Sequence, residues 1–210
     1  MKRLDKALII GTIVCLLPIA LGLLLYGHLP DQIPIHWNSA GEVDNTASKA
    51  TAVFLMPAGL ALLHLLIQFL IRYDPKRANA SPVVRAVSMW VVPVISIVCF
   101  TVSYLVGIGL DVPFLLSLFI GFLILILGNY LPRCKQSYTI GIRLPWTLRD
   151  ADNWNKTHRF GGRVWVMCGL GLMIAAFFQI WFLQVILIIL LLVLPCIYSF
   201  LLYQKNKKGS

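Results

Sequence analysis

Arginine, tryptophan, histidine and acid residues that could handle an anion or a proton crowd into one stretch, SYTIGIRLPWTLRDADNWNKTHRFGGR, from Ser137 to Arg163. Arg143 and Arg159 carry planar forks suited to carboxylate or phosphate, and His158 is of the residue type most used to move protons. Gly141 and Pro145 flank Arg143. They imply a defined turn that aims it at a helix C-terminus, a lipid phosphate or a protein carboxylate. His158 with Asp150 or Asp152 could in principle serve as acid and base in a membrane enzyme acting on lipid or peptide. No nucleophile paired with a base and no metal motif stands at fixed spacing, however, so the reading is non-enzymatic.

A second polar set lies in GHLPDQIPIHWNSAGEVDNTASKA, Gly27 to Ala50, where His36, Asn38, Asp44 and Lys49 offer donors and acceptors to a ligand. Pro30 and Pro34 favour extended backbone before them, Asn38 to Gly41 suggests a tight turn, and Ser48 is placed to start a helix. Trp37 suits the headgroup level. His28, Asp31, His36, Glu42 and Asp44 lack the spacings of structural zinc or of H-E-x-x-H, so no metal or other cofactor is expected. His64 and Gln68 form a third set, one turn apart within an apolar run. They could bond a ligand or each other, lining a channel or facilitator, or His64 could join its helix to a neighbour. None of the five cysteines pairs in an oxidising loop. Cys134, between Arg133 and Lys135, reads as an ordinary loop thiol, although those cations could lower its pKa.

The elements that position these groups must cross lipid. With 59% hydrophobic and 12% charged residues, a chain of 210 has too little polar surface for a water-soluble globule. A span takes roughly 20 apolar residues. Six are read, at about 7–26, 52–71, 86–107, 113–131, 164–179 and 182–203. The fold class is therefore an all-α integral membrane protein, a six-helix transmembrane bundle. The apolar run from Val164 to Tyr203 is too long for one crossing and must turn back near Gln179 to Gln184.

Six spans put 17 of the 18 Lys and Arg on one side, with only Lys49 outside it. By the positive-inside rule both termini and the 132–163 signature loop are cytoplasmic, and 27–51 is an extracytoplasmic cap. The net charge of +10 is then a topology signal that also suits anionic membrane lipids, and it does not argue for direct nucleic-acid binding. Thr147 and Asp150 match a capping box. Leu148, Ala151, Trp154 and His158 recur on one helical face, which predicts a short interfacial amphipathic helix ended by Gly161 and Gly162 before the fifth span.

The two polar segments carry a resemblance. LPDQIPIHWNSAGEVDNTASKA looks like the amino-terminal domain of unknown function found in the SdpI family of bacterial membrane proteins, with its L-P-x-x-I-P-x-H, Asn, Gly, Asp and Ser-Lys ending. GNYLPRCKQSYTIGIRLPWTLRDADNWNKTHRFGGR resembles the carboxy-terminal family signature. That signature falls on Asn129, Gly141, Arg143, Pro145, Trp146, Thr147, Trp154, His158, Arg159 and Gly162. Ser137 stands where the family usually has Asn, and Leu144 where it usually has Thr.

The resemblance implies a multi-pass protein of the bacterial cell membrane that confers immunity to a secreted toxin peptide. It also implies signalling, by holding a cytoplasmic repressor at the membrane. On that reading His36, Asn38, Asp44 and Lys49 would meet the toxin. The inner loop with Asn129, Gly141, Arg143, Trp146, Trp154, His158 and Arg159 would meet the cytoplasmic partner.

Overall fold

The computed structural model describes residues 2–38, 42–104 and 111–208. Helix α1 (Lys2–Leu25) leads into a hairpin of β1 (Gln32–Trp37) and β2 (Val43–Ser48). There follow α2 (Met56–Arg72), entered through a π-helical turn at Thr51–Leu55, then α3 (Pro82–Tyr104) and α4 (Val112–Tyr130). A short α5 (Pro145–Arg149) precedes the long α6 (Ala151–Phe177) and α7 (Trp181–Lys208). Six helices among the described residues are long and apolar enough to cross a membrane. Their apolar side chains stay exposed, Leu24 at 80% and Leu62 at 69%, which only a lipid solvent tolerates at this density. The protein is an all-α multi-pass membrane protein with one small sheet.

The chain forms two compact units, Met1–Phe69 with Ala86–Leu116, and Leu70–Arg85 with Ser117–Ser210. In the first, Leu29, Ile33, Ala47, Ala52, Val53, Phe100 and Tyr104 make a core under the hairpin. The π turn explains one of its contacts. Met56 N–H bonds Thr51 O, five residues back, so in that register Ala52 O would need the N–H of residue 57, which is proline. The Tyr104 hydroxyl donates to Ala52 O at 3.2 Å instead. In the second unit Pro195 similarly denies an N–H to Leu191 O, and the Trp165 indole on α6 donates to it at 2.9 Å.

One expectation is corrected. The stretch from Ala151 to Gly162 is not a helix separate from the fifth span: α6 runs unbroken from Ala151 to Phe177, about 40 Å at 1.5 Å per residue. Gly161 and Gly162 are buried inside it rather than ending it. A Cβ on Gly162 would meet Gly128 O and the Pro132 ring at 2.8 Å, and one on Gly169 would meet Gly121 O at 2.7 Å. The glycines form a seam on which α4 and α6 approach backbone to backbone, as small residues do between membrane helices. That contact outweighs their helix cost of about 1 kcal/mol each. The capping box also dissolves. Thr147 lies within α5 and accepts the Leu144 N–H, while Asp150 caps α6 by accepting the N–H groups of Asp152 and Asn153 at 2.8 and 3.1 Å.

Candidate functional site

Two polar assemblies stand out, one in each unit. In the first unit, Gln32, Ile33 and Pro34 pair with Ser48, Ala47 and Thr46, and beyond an irregularity His36 pairs with Asn45 and Trp37 with Val43. Ile33 and Ala47 fasten one face to the core, leaving residues 42–46 and Ser48 exposed. His36 Nδ1 meets Asp44 Oδ1 at 2.6 Å on the exposed side. Asn38 closes the tip, its N–H bonding Glu42 O at 2.8 Å and its side chain accepting the Glu42 N–H at 3.0 Å. The expected turn at Asn38 to Gly41 falls partly outside the described residues. Lys49 lies at the base, its ammonium 3.3 Å from Asp31 and donating to Tyr26 O at 3.3 Å. Four residues expected to share a ligand are therefore spread along the hairpin, with His36 and Asp44 in direct reach of one another. Trp37 is half-buried, and Ser48 Oγ accepts the Thr51 N–H, starting the next helix as its type suggests.

His64 is fully buried, and neither ring nitrogen has a hydrogen-bond partner among the described residues. It does not bond Gln68, whose amide donates to Ser88 O at 2.8 Å and joins α2 to α3. His64 stands against Gly11, where an added Cβ would lie 2.9 Å from its Nε2.

The second unit builds the other assembly from the loop between α4 and α5. Gly141 sits at φ +114°, and a Cβ there would fall 2.5 Å from His158 Nε2 and 2.9 Å from the Trp154 ring. Only glycine fits. His158 Nε2 accepts the Ile142 N–H at 2.9 Å, and Nδ1 donates to Trp154 O at 2.8 Å, which fixes a neutral imidazole with its proton on Nδ1. The ring stacks on Trp154 at 4.0 Å, and the Trp154 indole donates to Cys134 O at 2.7 Å. Trp154 and His158 are both 0% exposed, so they are the loop's anchors rather than membrane-surface or acid-base groups.

A second knot ties α5, α6 and α7. The Trp146 indole donates to Ser199 Oγ at 2.8 Å, Ser199 Oγ donates to Asn153 Oδ1 at 2.7 Å, and Thr157 Oγ1 donates to the same oxygen at 3.0 Å. Asn153 returns its amide to Ser199 O at 3.0 Å, so every buried polar atom in the ring is satisfied. Trp146 also stacks on Tyr203 at 5.6 Å.

The third anchor is Asp74, which the sequence reading passed over. It is 5% exposed and accepts Ser137 Oγ–H at 2.6 Å, Thr139 N–H at 2.9 Å and Lys76 N–H at 2.7 Å. Burial alone would raise its pKa, but these donors together hold it below the ordinary aspartate range. A signal was present: Asp74 is the only acid in the connection holding Arg72, Lys76, Arg77 and Arg85. Gln136 adds a brace, receiving the Lys76 ammonium at 3.0 Å and donating to Thr147 O at 2.9 Å.

What remains at the surface is cationic. Arg143, Arg149 and Arg159 are exposed, as is Asn129. Among the described residues Arg143 reaches no carboxylate or helix end: its Nη1 donates to Tyr138 O at 2.7 Å, which pins the side chain across its own loop. Asp152 is ion-paired with Lys156 at 2.6 Å. Cys134 is buried, and burial pushes its thiol up to about 11, the opposite of activation by its cationic neighbours.

Comparison with known proteins places both assemblies. The SdpI/YfhL protein family matches residues 133–199, which run from the anchored loop through α6 to Ser199. A domain of unknown function, DUF1648, matches residues 13–61, which contain the hairpin. The chain thus carries an SdpI/YfhL family segment and, ahead of it, a DUF1648 segment. It is also similar to the immunity protein SdpI of Bacillus subtilis (strain 168), 27% identical over 203 residues, covering 95% of this chain and 97% of that one. No solved structure matches the chain. Within the family segment, buried Thr147, Trp154 and His158 and half-buried Gly141 and Trp146 thus anchor the loop, while Arg143 and Arg159 are exposed.

Proposed function

We infer that this chain is an immunity protein of the bacterial cell membrane, protecting its own cell from a secreted toxin peptide by binding rather than by catalysis. The observation that carries this reading is the exposed hairpin, with the His36 and Asp44 pair on its surface, in a chain similar along nearly its whole length to an immunity protein. Binding is favoured over chemistry because His158 has both nitrogens engaged and no exposure, Asp150 caps α6, and Asp152 pairs with Lys156. The hairpin lies outside the membrane and the anchored loop inside, where exposed Arg143, Arg149 and Arg159 offer an acidic partner, such as a repressor, a docking surface that also suits anionic lipid.

The test is survival. Expression in a toxin-sensitive bacterium should protect, and His36→Ala with Asp44→Asn should weaken protection at unchanged membrane levels. Arg143→Ala with Arg159→Ala should preserve protection and abolish recruitment of a repressor to the membrane. Failure of the wild-type chain to protect against the toxin of any related system removes the immunity reading.

A further inference from the structure

The hairpin is a two-stranded sheet, so each strand has one edge turned away from its partner. The edges differ. The Lys49 N–H bonds Asp31 O at 2.9 Å, and the register runs on through Gln32 with Ser48, Ile33 with Ala47 and Pro34 with Thr46. Bonded and non-bonded pairs alternate in an antiparallel ladder, so Ile33 with Ala47 is a bonded pair, whereas Pro34 and Thr46 turn their main-chain groups outward. On β1 the outward positions are Gln32 and Pro34; the proline has no N–H to offer, and the register breaks immediately after it. Both features blunt an edge. On β2 the outward position is Thr46, exposed, with neither proline nor lysine in the strand. The sheet is blunted on one side and open on the other.

Charge supplies the second argument. In a chain of net +10, the segment from Gly27 to Ala50 is acidic, with Asp31, Glu42 and Asp44 against Lys49 alone. Glu42 and Asp44 flank the open strand, and Asp31 is 99% exposed. We propose that the open edge of β2 takes an extended cationic peptide as a third strand, bonded through the Thr46 N–H and C=O and the Ser48 N–H, with basic side chains facing Glu42 and Asp44. Main-chain pairing supplies affinity and the acids supply preference for positive charge, which is the division of labour in strand addition. The identification of that peptide with a toxin rests on the immunity reading, whereas the pairing itself does not.

The probe is a synthetic decapeptide of alternating lysine and valine, added to the full chain in detergent micelles, with amide hydrogen exchange read by NMR. Exchange at Thr46 is expected to slow by on the order of tenfold or more, while Ala47, already bonded to Ile33, changes little. The same peptide with alternate amides N-methylated should give no protection, a control that needs no change to the protein. Glu42→Gln with Asp44→Asn should weaken the effect, and Thr46→Pro should abolish it while Ala47 stays protected. Unchanged Thr46 exchange, or equal protection by the N-methylated peptide, overturns the inference even if cells survive toxin. Absence of survival with slowed Thr46 exchange overturns only the immunity reading.

Discussion

Replacing Gly141 by alanine adds one methyl group at the point where the anchored loop crosses α6. The new Cβ would fall 2.5 Å from His158 Nε2 and 2.9 Å from Trp154, at a backbone φ of +114° that side-chain-bearing residues rarely adopt. Backbone strain of this kind costs about 1–3 kcal/mol, and overpacking a filled interior costs about 1–3 kcal/mol more. Relief by moving His158 would break its bond from the Ile142 N–H. The expected loss is therefore about 2–6 kcal/mol, which at about 2–4 °C per kcal/mol for a chain of this size lowers the midpoint by about 4–24 °C. Thermal unfolding of the purified chain in detergent, followed by the near-ultraviolet signal of its tryptophans, measures it. Gly59→Ala is the matched control: it lies inside α2 with nothing within 4 Å of the added carbon, and alanine is favoured in a helix by about 1 kcal/mol. Equal midpoints for Gly141→Ala and Gly59→Ala would refute the reasoning about the loop.

Two further outcomes follow from the polar anchors. Asp74 has a depressed pKa, so its contribution is complete above the ordinary aspartate value of 3.8 and is lost as pH falls through its folded value. Midpoints of the wild type should fall more steeply below that pH than those of Asp74→Asn, and parallel acid limbs would contradict the assignment. Trp165→Phe strands the Leu191 carbonyl beside Pro195, at a cost of about 1–3 kcal/mol. Pro195→Ala supplies the missing N–H, so the double variant should recover much of that loss in a thermodynamic cycle, and strict additivity would show that the indole does not serve this carbonyl.

The membrane helices were legible because lipid demands an apolar run of fixed length, a requirement local to each segment. The start at Ser48 of the helical turn that leads into α2 was legible for the same reason, since a cap is a short-range device. Gly161 and Gly162 misled because a glycine that stops a helix and one that admits a neighbouring backbone look alike until the neighbour, here Gly128 and Pro132, is in place. Trp154 and His158 stood out by type, but their burial depends on Gly141, Ile142 and Cys134 arriving from a distant loop. Asp74 and Ser199 were missed because each is a single polar residue whose partner lies 63 and 46 positions away. The hairpin was read as an ordered cap without strands: the alternation of Ile33, Ile35 and Trp37 was the available signal, interrupted by Pro34.

Function on this account depends on the hairpin facing out of the cell and the arginine-rich loop facing in. In a background lacking native thiols, Asn45→Cys on β2 and Asn155→Cys on the exposed face of α6 report the two sides directly. A membrane-impermeant maleimide applied to intact cells should label position 45, and label position 155 only after lysis. Labelling of position 155 in intact cells with position 45 protected would contradict the account.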